Sequence, residues 1–236
     1  MIRPARPEEA PLLAALVERA AATIVASAEE RAWFLAALPG RADPARLHVL
    51  DGDLPKREWL DAAPASRRLG EADGAVHTVL LGRPYGFGAA LRDGLARRGV
   101  RLHEPAGVTP DRWVGELSRY DAGWLHPVRA RNGGDVRAAT WDDLNLPARI
   151  PTLVAAGLPL IVPRPRGAGL HAAARLAGEL GCAVAYDDLD DLAAQLRDRP
   201  GMARRRAAAW AARESLTFDA HADRLLEILR AAAGGG

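Results

Sequence analysis

From Val76 onward this 236-residue chain alternates short apolar, β-branched runs with amphipathic stretches that stop at glycine, and few folds accommodate that rhythm. Residues 76–81, 100–103, 122–126, 158–162 and 182–186 read as strands. Residues 89–98, 111–120, 147–156, 170–180 and 189–197 read as helices, with Gly99, Gly157 and Gly181 as C-terminal stops. A long last helix is expected over 202–233, bent near Thr217 and Phe218. Strands alternating with helices of this length form a parallel sheet, because right-handed crossovers lay helices over both of its faces. The expected class is α/β, a Rossmann-like doubly wound parallel sheet over residues 75–233.

A second, partial α/β segment precedes it. Leu12, Leu13, Leu16 and Val17 stand at helical spacing, and residues 22–26 form an apolar run suited to a strand. Ser27 followed by Glu30 is a capping-box pattern opening a helix through Trp33, Phe34 and Leu38 that Pro39 and Gly40 end. Residues 47–50 read as another strand. Residues 51–74 are rich in Asp, Pro, Ala, Ser and Arg with weak periodicity, which predicts an interdomain linker and a first domain within 1–60.

Composition narrows the function. With 49% hydrophobic and 26% charged residues the chain can bury a substantial core. A net charge of +2, with arginines dispersed among acids, leaves no nucleic-acid footprint. No stretch approaches the roughly 20 apolar residues that span a bilayer, and residues 1–10 carry prolines, arginines and acids where a signal core would be apolar. Cys182 is the only cysteine, which excludes an internal disulfide and favours the cytoplasm. Lys56 is the only lysine; the heavy use of Ala and Arg reads as codon bias of a GC-rich bacterial genome. His77, His103, His171 and His221 lack metal-ligand spacing, so no metal is expected.

In an open parallel sheet ligands sit outside the carboxyl ends of the strands, here the loops after the first, third, fourth and fifth. Residues 82–88, Gly-Arg-Pro-Tyr-Gly-Phe-Gly, join a strand to a helix; the loop reads either as a tight turn or as a cradle in which Gly82 frees the backbone and Arg83 meets a phosphate. In residues 144–162, Asn145 can cap a helix, Pro147 suits its first turn, and Arg149 can join the helix dipole on a diphosphate. Pro151 moves that helix start a residue or two later. His126 ends a strand, where a neutral imidazole can touch sugar or phosphate or simply pack; Tyr85 can stack on a base or sugar, and Trp124 can line the cleft or the core. Asp187 and Asp188 read as N-terminal helix charges, and Arg204, Arg205 and Arg206 as a solvated face that could meet acidic lipid at the inner membrane face.

The segment 145–162 resembles the "Asn-x-Pro-x-Lys/Arg" start and "laaGlPvi" ending that bind the donor diphosphate in GT-B glycosyltransferases. Residues 79–88, Tyr120-Asp121-Ala122-Gly123, residues 181–192 and 213–226 are similar, in the same order, to other segments of that family's donor domain. The resemblance implies an enzyme that binds a nucleotide-diphosphate sugar through Gly82, Arg83, Tyr85, His126, Asn145 and Arg149 and passes the sugar to an acceptor, with no cofactor beyond the donor. It also implies that residues 24–55 end an acceptor domain whose remainder lies elsewhere, in a partner chain or another copy; the alternative is a non-catalytic nucleotide-sugar-binding scaffold. The paired glutamates seven residues apart of many retaining members are replaced by Asp142, Asp143 and Asn145, so no catalytic residue is assigned and retaining and inverting chemistry stay open.

Overall fold

The computed structural model of the protein describes residues 10–51 and 54–234; the signal-peptide reading of the first residues, and two positions of the expected linker, lie outside them. The N-terminal unit is α1 (Ala10–Arg19), β1 (Thr23–Val25), α2 (Ala28–Ala37) and β2 (Leu47–Val49), with β1 and β2 paired in parallel. Val17 of α1, Phe34 and Leu35 of α2, Val25 and Leu47 share one small apolar cluster. Ser27 caps α2 as expected, its Oγ accepting the Glu30 N–H at 2.9 Å, while the Glu30 carboxylate reaches back to the N–H of Ala26, one residue before the cap.

The predicted linker is a structured segment. It holds a 3₁₀ turn at Arg57–Leu60 and the short α3 (Gly70–Asp73). Leu60 is buried, Trp59 stands edge-on to Trp113 at 5.4 Å, and the Ala65 N–H donates to Ser118 Oγ at 2.8 Å. Two or three well-placed anchors suffice to pin such a segment, and a composition average hides them.

The large sheet contains β3 (Val76–Val79), β4 (Val100–His103), β5 (Ala122–Trp124), β6 (Leu160–Pro163) and β7 (Ala183–Tyr186), in the order β4-β3-β5-β6-β7 and parallel throughout. Its helices are α4 (Ala89–Arg97), α5 (Trp113–Leu117), α6 (Trp141–Leu144), α7 (Arg149–Ala155), α8 (Ala172–Glu179), α9 (Leu189–Arg197), α10 (Arg199–Ala212) and α11 (Phe218–Gly234). Successive strand residues point to opposite faces. Val79, Leu160 and Val162 accordingly join one core with Leu153 and Ala177, whereas Leu80, Ile161 and Val184 join another with Leu95 and Leu192. Both faces are thus covered, and the doubly wound expectation holds.

Three stretches differ most from the expectation. The loop after β5 contains a 3₁₀ turn at Val136–Ala138 and then α6, which Thr140 and Asp143 open as a reciprocal capping box. A 3₁₀ turn at Pro110–Arg112 precedes α5. The long last helix is two helices separated by a 3₁₀ turn at Arg213–Leu216, since Thr217 adopts extended backbone. As Pro151 led one to expect, α7 starts two residues after Pro147, at Arg149, because in a helix begun at Pro147 residue 151 would have to donate an N–H that proline lacks. Gly123 lets α7 lie close on β5: a Cβ there would come within 2.5 Å of the Leu153 side chain.

The N-terminal unit is fastened to the large sheet. Glu29 takes Arg175 in a two-pronged ion pair at 2.5 and 3.0 Å, and Ser27 Oγ donates to the Leu144 carbonyl at 2.6 Å. The Phe218 N–H donates to the Pro55 carbonyl at 2.8 Å.

Candidate functional site

Strand order reverses beside β3: the chain leaves β3 outward to β4 and returns past it to β5. Loops after β3 and β5 therefore diverge and leave a crevice at their carboxyl ends. A cleft of about 1660 Å³ lies there, walled by the loops after β3, β4 and β5 and by residues 140–152. All six predicted residues line it: Gly82, Arg83 and Tyr85, then His126, then Asn145 and Arg149. The expected contribution from the loops after β6 and β7 is absent from these walls. Asp188 instead caps α9, accepting the N–H groups of Asp190 and Asp191 at 2.9 Å, and Asp187 pairs with Arg164 at 3.0 Å.

Arg149 is the centre of the cleft's electrostatics. Its Nη2 donates to His126 Nε2 at 3.1 Å and lies 3.4 Å from the Arg83 carbonyl oxygen. Its Nη1 is buried and has no hydrogen-bond partner among the described residues. Burial pulls the guanidinium down from its usual 12.5 to about 10, and it remains a cation at neutral pH. A buried charge without a counter-ion costs several kcal/mol, so this arrangement works against stability.

Burial, and then the charge of Arg149, hold His126 below the ordinary imidazole value of 6.5, leaving it neutral at pH 7. Tyr85 stands edge-on to its ring at 5.5 Å, and the Tyr85 hydroxyl donates to Asp142 Oδ2 at 3.1 Å. Asp142 and that bond raise the Tyr85 pKa and keep it a phenol. Gly82, at φ +73°, starts the loop in a left-handed conformation that a side chain would strain.

Two expectations for this segment are corrected. Asn145 does not cap α7; its extended backbone ends α6, and Ala148 occupies the cap position without a side-chain bond. With only seven residues, α7 also contributes little dipole, so Arg149 acts through its own charge. The side chains of Asn145 and Arg83 make no hydrogen bond among the described residues, which leaves both available to a ligand.

Arg129 and Arg131 also line the cleft and were missed by sequence reasoning. They sit in an irregular loop with no periodicity to mark them. Arg129 lies over the Tyr186 ring at 5.8 Å and donates to the Asp187 carbonyl. Thr140 was missed too, although Thr followed by Asp three residues later is a readable capping pattern.

Trp124 belongs to the core, fully buried and donating to Thr78 Oγ1 at 2.9 Å. Cys182 is buried, its thiol pushed up to about 11. The arginine run at 204–206 is not a solvated face: Arg205 donates to the Ala183 carbonyl at 2.8 Å, Arg206 turns inward, and only Arg204 is exposed. Among the described residues no three His, Cys, Asp or Glu side chains could hold a metal ion, and no helix is long and apolar enough to cross a membrane.

A smaller cavity of about 920 Å³ lies by the amino ends of the strands, lined by Arg68, Asp121, Arg206 and Trp210. Its central cation is already engaged. Arg206 donates to the carbonyls of Ser118 and Asp121 at 3.3 Å and to that of Tyr120.

No protein-family model and no curated protein matches this sequence. Solved structures do match. Anabaena HepE in complex with UDP and glucose is 14% identical, with a TM-score of 0.64 over 96% of this chain and 68% of that one. A glycosyltransferase from Rickettsia africae is 8% identical, with a TM-score of 0.59 over 100% of this chain and 69% of that one. TarM is 11% identical, with a TM-score of 0.55 over 95% of this chain and 46% of that one. At these identities the likeness is one of architecture: the chain has the GT-B Rossmann-like fold and spans about two thirds of the length of the first two of these proteins.

Proposed function

We propose that the cleft binds the diphosphate of a nucleotide sugar and that the chain is the donor-binding part of a glycosyltransferase. The observation that carries this reading is Arg149, a half-buried cation whose buried Nη1 has no hydrogen-bond partner, and which has no paired carboxylate, among the described residues. A phosphate oxygen is the counter-ion such a group lacks. When a sugar leaves a nucleoside diphosphate, negative charge grows on the departing phosphate, and a fixed guanidinium there lowers the barrier to transfer. Arg83, Arg129 and Arg131 on the same walls add positive potential, against which stand Asp142, held by Tyr85, and Asp143, held in its capping box.

The fold supports the choice of donor class, since HepE was solved with UDP and glucose and also with UDP-glucose. Arg83, Asn145 and Tyr85 are then donor contacts, with Gly82 allowing the close backbone approach. The unit containing β1 and β2 belongs to the acceptor side, and the rest of that side comes from further sequence, a partner chain or a second copy. Besides the donor and an acceptor no cofactor is required, and a reducing cytoplasm suits the lone Cys182.

Calorimetric titration with UDP, GDP, ADP, dTDP and their sugar conjugates tests the reading. The expected result is saturable binding of one of them, weakened at least about tenfold in Arg149→Ala through loss of a charge-assisted contact. No binding to any of them, or equal binding by the variant, refutes it.

A further inference from the structure

We infer that His126 is a positioning residue whose bare Nε2 anchors one nitrogen of Arg149, fixing the guanidinium for a phosphate without neutralising it. The inference rests on the diphosphate reading above and assigns His126 a different task from ligand contact. A guanidinium has only donors, so the 3.1 Å contact between Arg149 Nη2 and His126 Nε2 makes the imidazole nitrogen the acceptor and puts the ring's proton on Nδ1.

The choice of anchor matters. A long arginine side chain loses rotamer freedom when held in one place, and something must hold it. At several other arginines of this chain a carboxylate does so, Asp190 for Arg98, Glu29 for Arg175, Asp187 for Arg164 and Asp73 for Arg101, while Arg206 is held by backbone carbonyls. Each of those carboxylates cancels the charge it holds. A carboxylate on Arg149 would compete with the incoming phosphate, whereas a neutral imidazole orients the fork and leaves its full charge.

The surroundings keep the imidazole neutral. Arg149 and Arg83 disfavour its protonation, as do burial and His171, and only Asp142 favours it. Tyr85 occupies Asp142 with its hydroxyl and packs edge-on against the His126 ring, so one side chain both restrains the nearby acid and steadies the anchor.

Three substitutions separate anchoring from packing. His126→Gln keeps an acceptor, His126→Phe keeps the ring and loses the acceptor, and His126→Glu keeps an acceptor while adding a charge. With UDP and inorganic pyrophosphate as probes, the Gln variant is expected to bind within about threefold of the parent chain, and the Phe and Glu variants about tenfold more weakly. In an Arg149→Ala background His126→Phe should change nothing further, because the partner is already gone. A Phe or Glu variant that binds like the parent overturns the inference, and so does an equal loss in both backgrounds.

Side-chain nitrogen NMR of the ligand-free chain gives a readout independent of binding. A proton on Nδ1 of His126 with Nε2 bare, and a pKa that rises in Arg149→Gln, support the anchor. A proton on Nε2, or a pKa that does not move, overturns it whatever the titrations show. If the parent chain binds no nucleoside diphosphate while the NMR result is as expected, the diphosphate reading falls and the anchoring of Arg149 stands.

Discussion

Each end of the five-stranded sheet holds a cavity and a half-buried arginine, and the two arginines meet opposite fates. Burial pulls both Arg149 and Arg206 down to about 10. At the amino ends of the strands Arg206 is matched by three carbonyls where the chain turns from α5 into β5. At the carboxyl ends Arg149 has an imidazole and a distant carbonyl, and its Nη1 has no partner among the described residues. The same residue type, half-buried in both places, is a structural rivet in one and, on the reading proposed above, the anion-binding group in the other. Burial or a shifted pKa alone would not tell them apart; the count of satisfied donors does.

The comparison can be broken most directly at Arg206. Arg206→Ala strips three part-buried carbonyls of their donor and should cost about 3 kcal/mol of folding stability by urea denaturation. A loss below about 1 kcal/mol would mean that the rivet is decorative.

Gly123→Ala comes next. The added methyl would press on Leu153, and overpacking of this kind costs roughly 1–3 kcal/mol. Because Leu153 lies on α7, which begins at Arg149, the variant should also weaken UDP binding more than its stability loss explains. Unchanged affinity would separate the helix from the site.

Acid should act on one end of the sheet more than the other. His103, His126 and His171 all follow or end strands at the carboxyl side, and burial holds each below 6.5. Their folded pKa values lie below the unfolded ones, so the unfolded chain takes up more protons as pH falls. Their contribution is present above 6.5 and lost on going below it. A urea midpoint that fails to drop between about pH 7.5 and about pH 5.5 contradicts this linkage.

The smallest expected effect sharpens the contrast. Arg149→Met removes a charge that is not compensated and should leave stability within about 1 kcal/mol of the parent, or raise it, while phosphate affinity collapses. A large destabilisation would make Arg149 a second rivet.

The same bookkeeping explains what was legible from sequence. The wound sheet was readable because each strand is a dense apolar run and α4, α7 and α8 each stop at a glycine, signals carried by neighbouring residues. β4 matched its expected bounds for that reason, and α9 matched because acids precede it and Asp188 caps it. The six cleft residues were readable because they stand at strand ends and in one family-like segment. Arg206 was not: a run of three arginines looks solvated, and its inward turn depends on carbonyls some 85 positions away. The packing of the segment around Leu60 and the misjudged role of Asn145 have the same origin, a partner that lies far off in sequence or a proline that shifts a helix start.

The pairing of β1 with β2 has a consequence for the order of folding. Two parallel strands of three residues each, with Ile24 and Val49 about two-fifths exposed, hold too little structure to persist alone. They are secured by Ser27 on Leu144, Glu29 on Arg175 and Pro55 on Phe218, all groups that the large sheet must place first. The small unit should therefore form last and open first, its amides exchanging with solvent before those of β5 and β6.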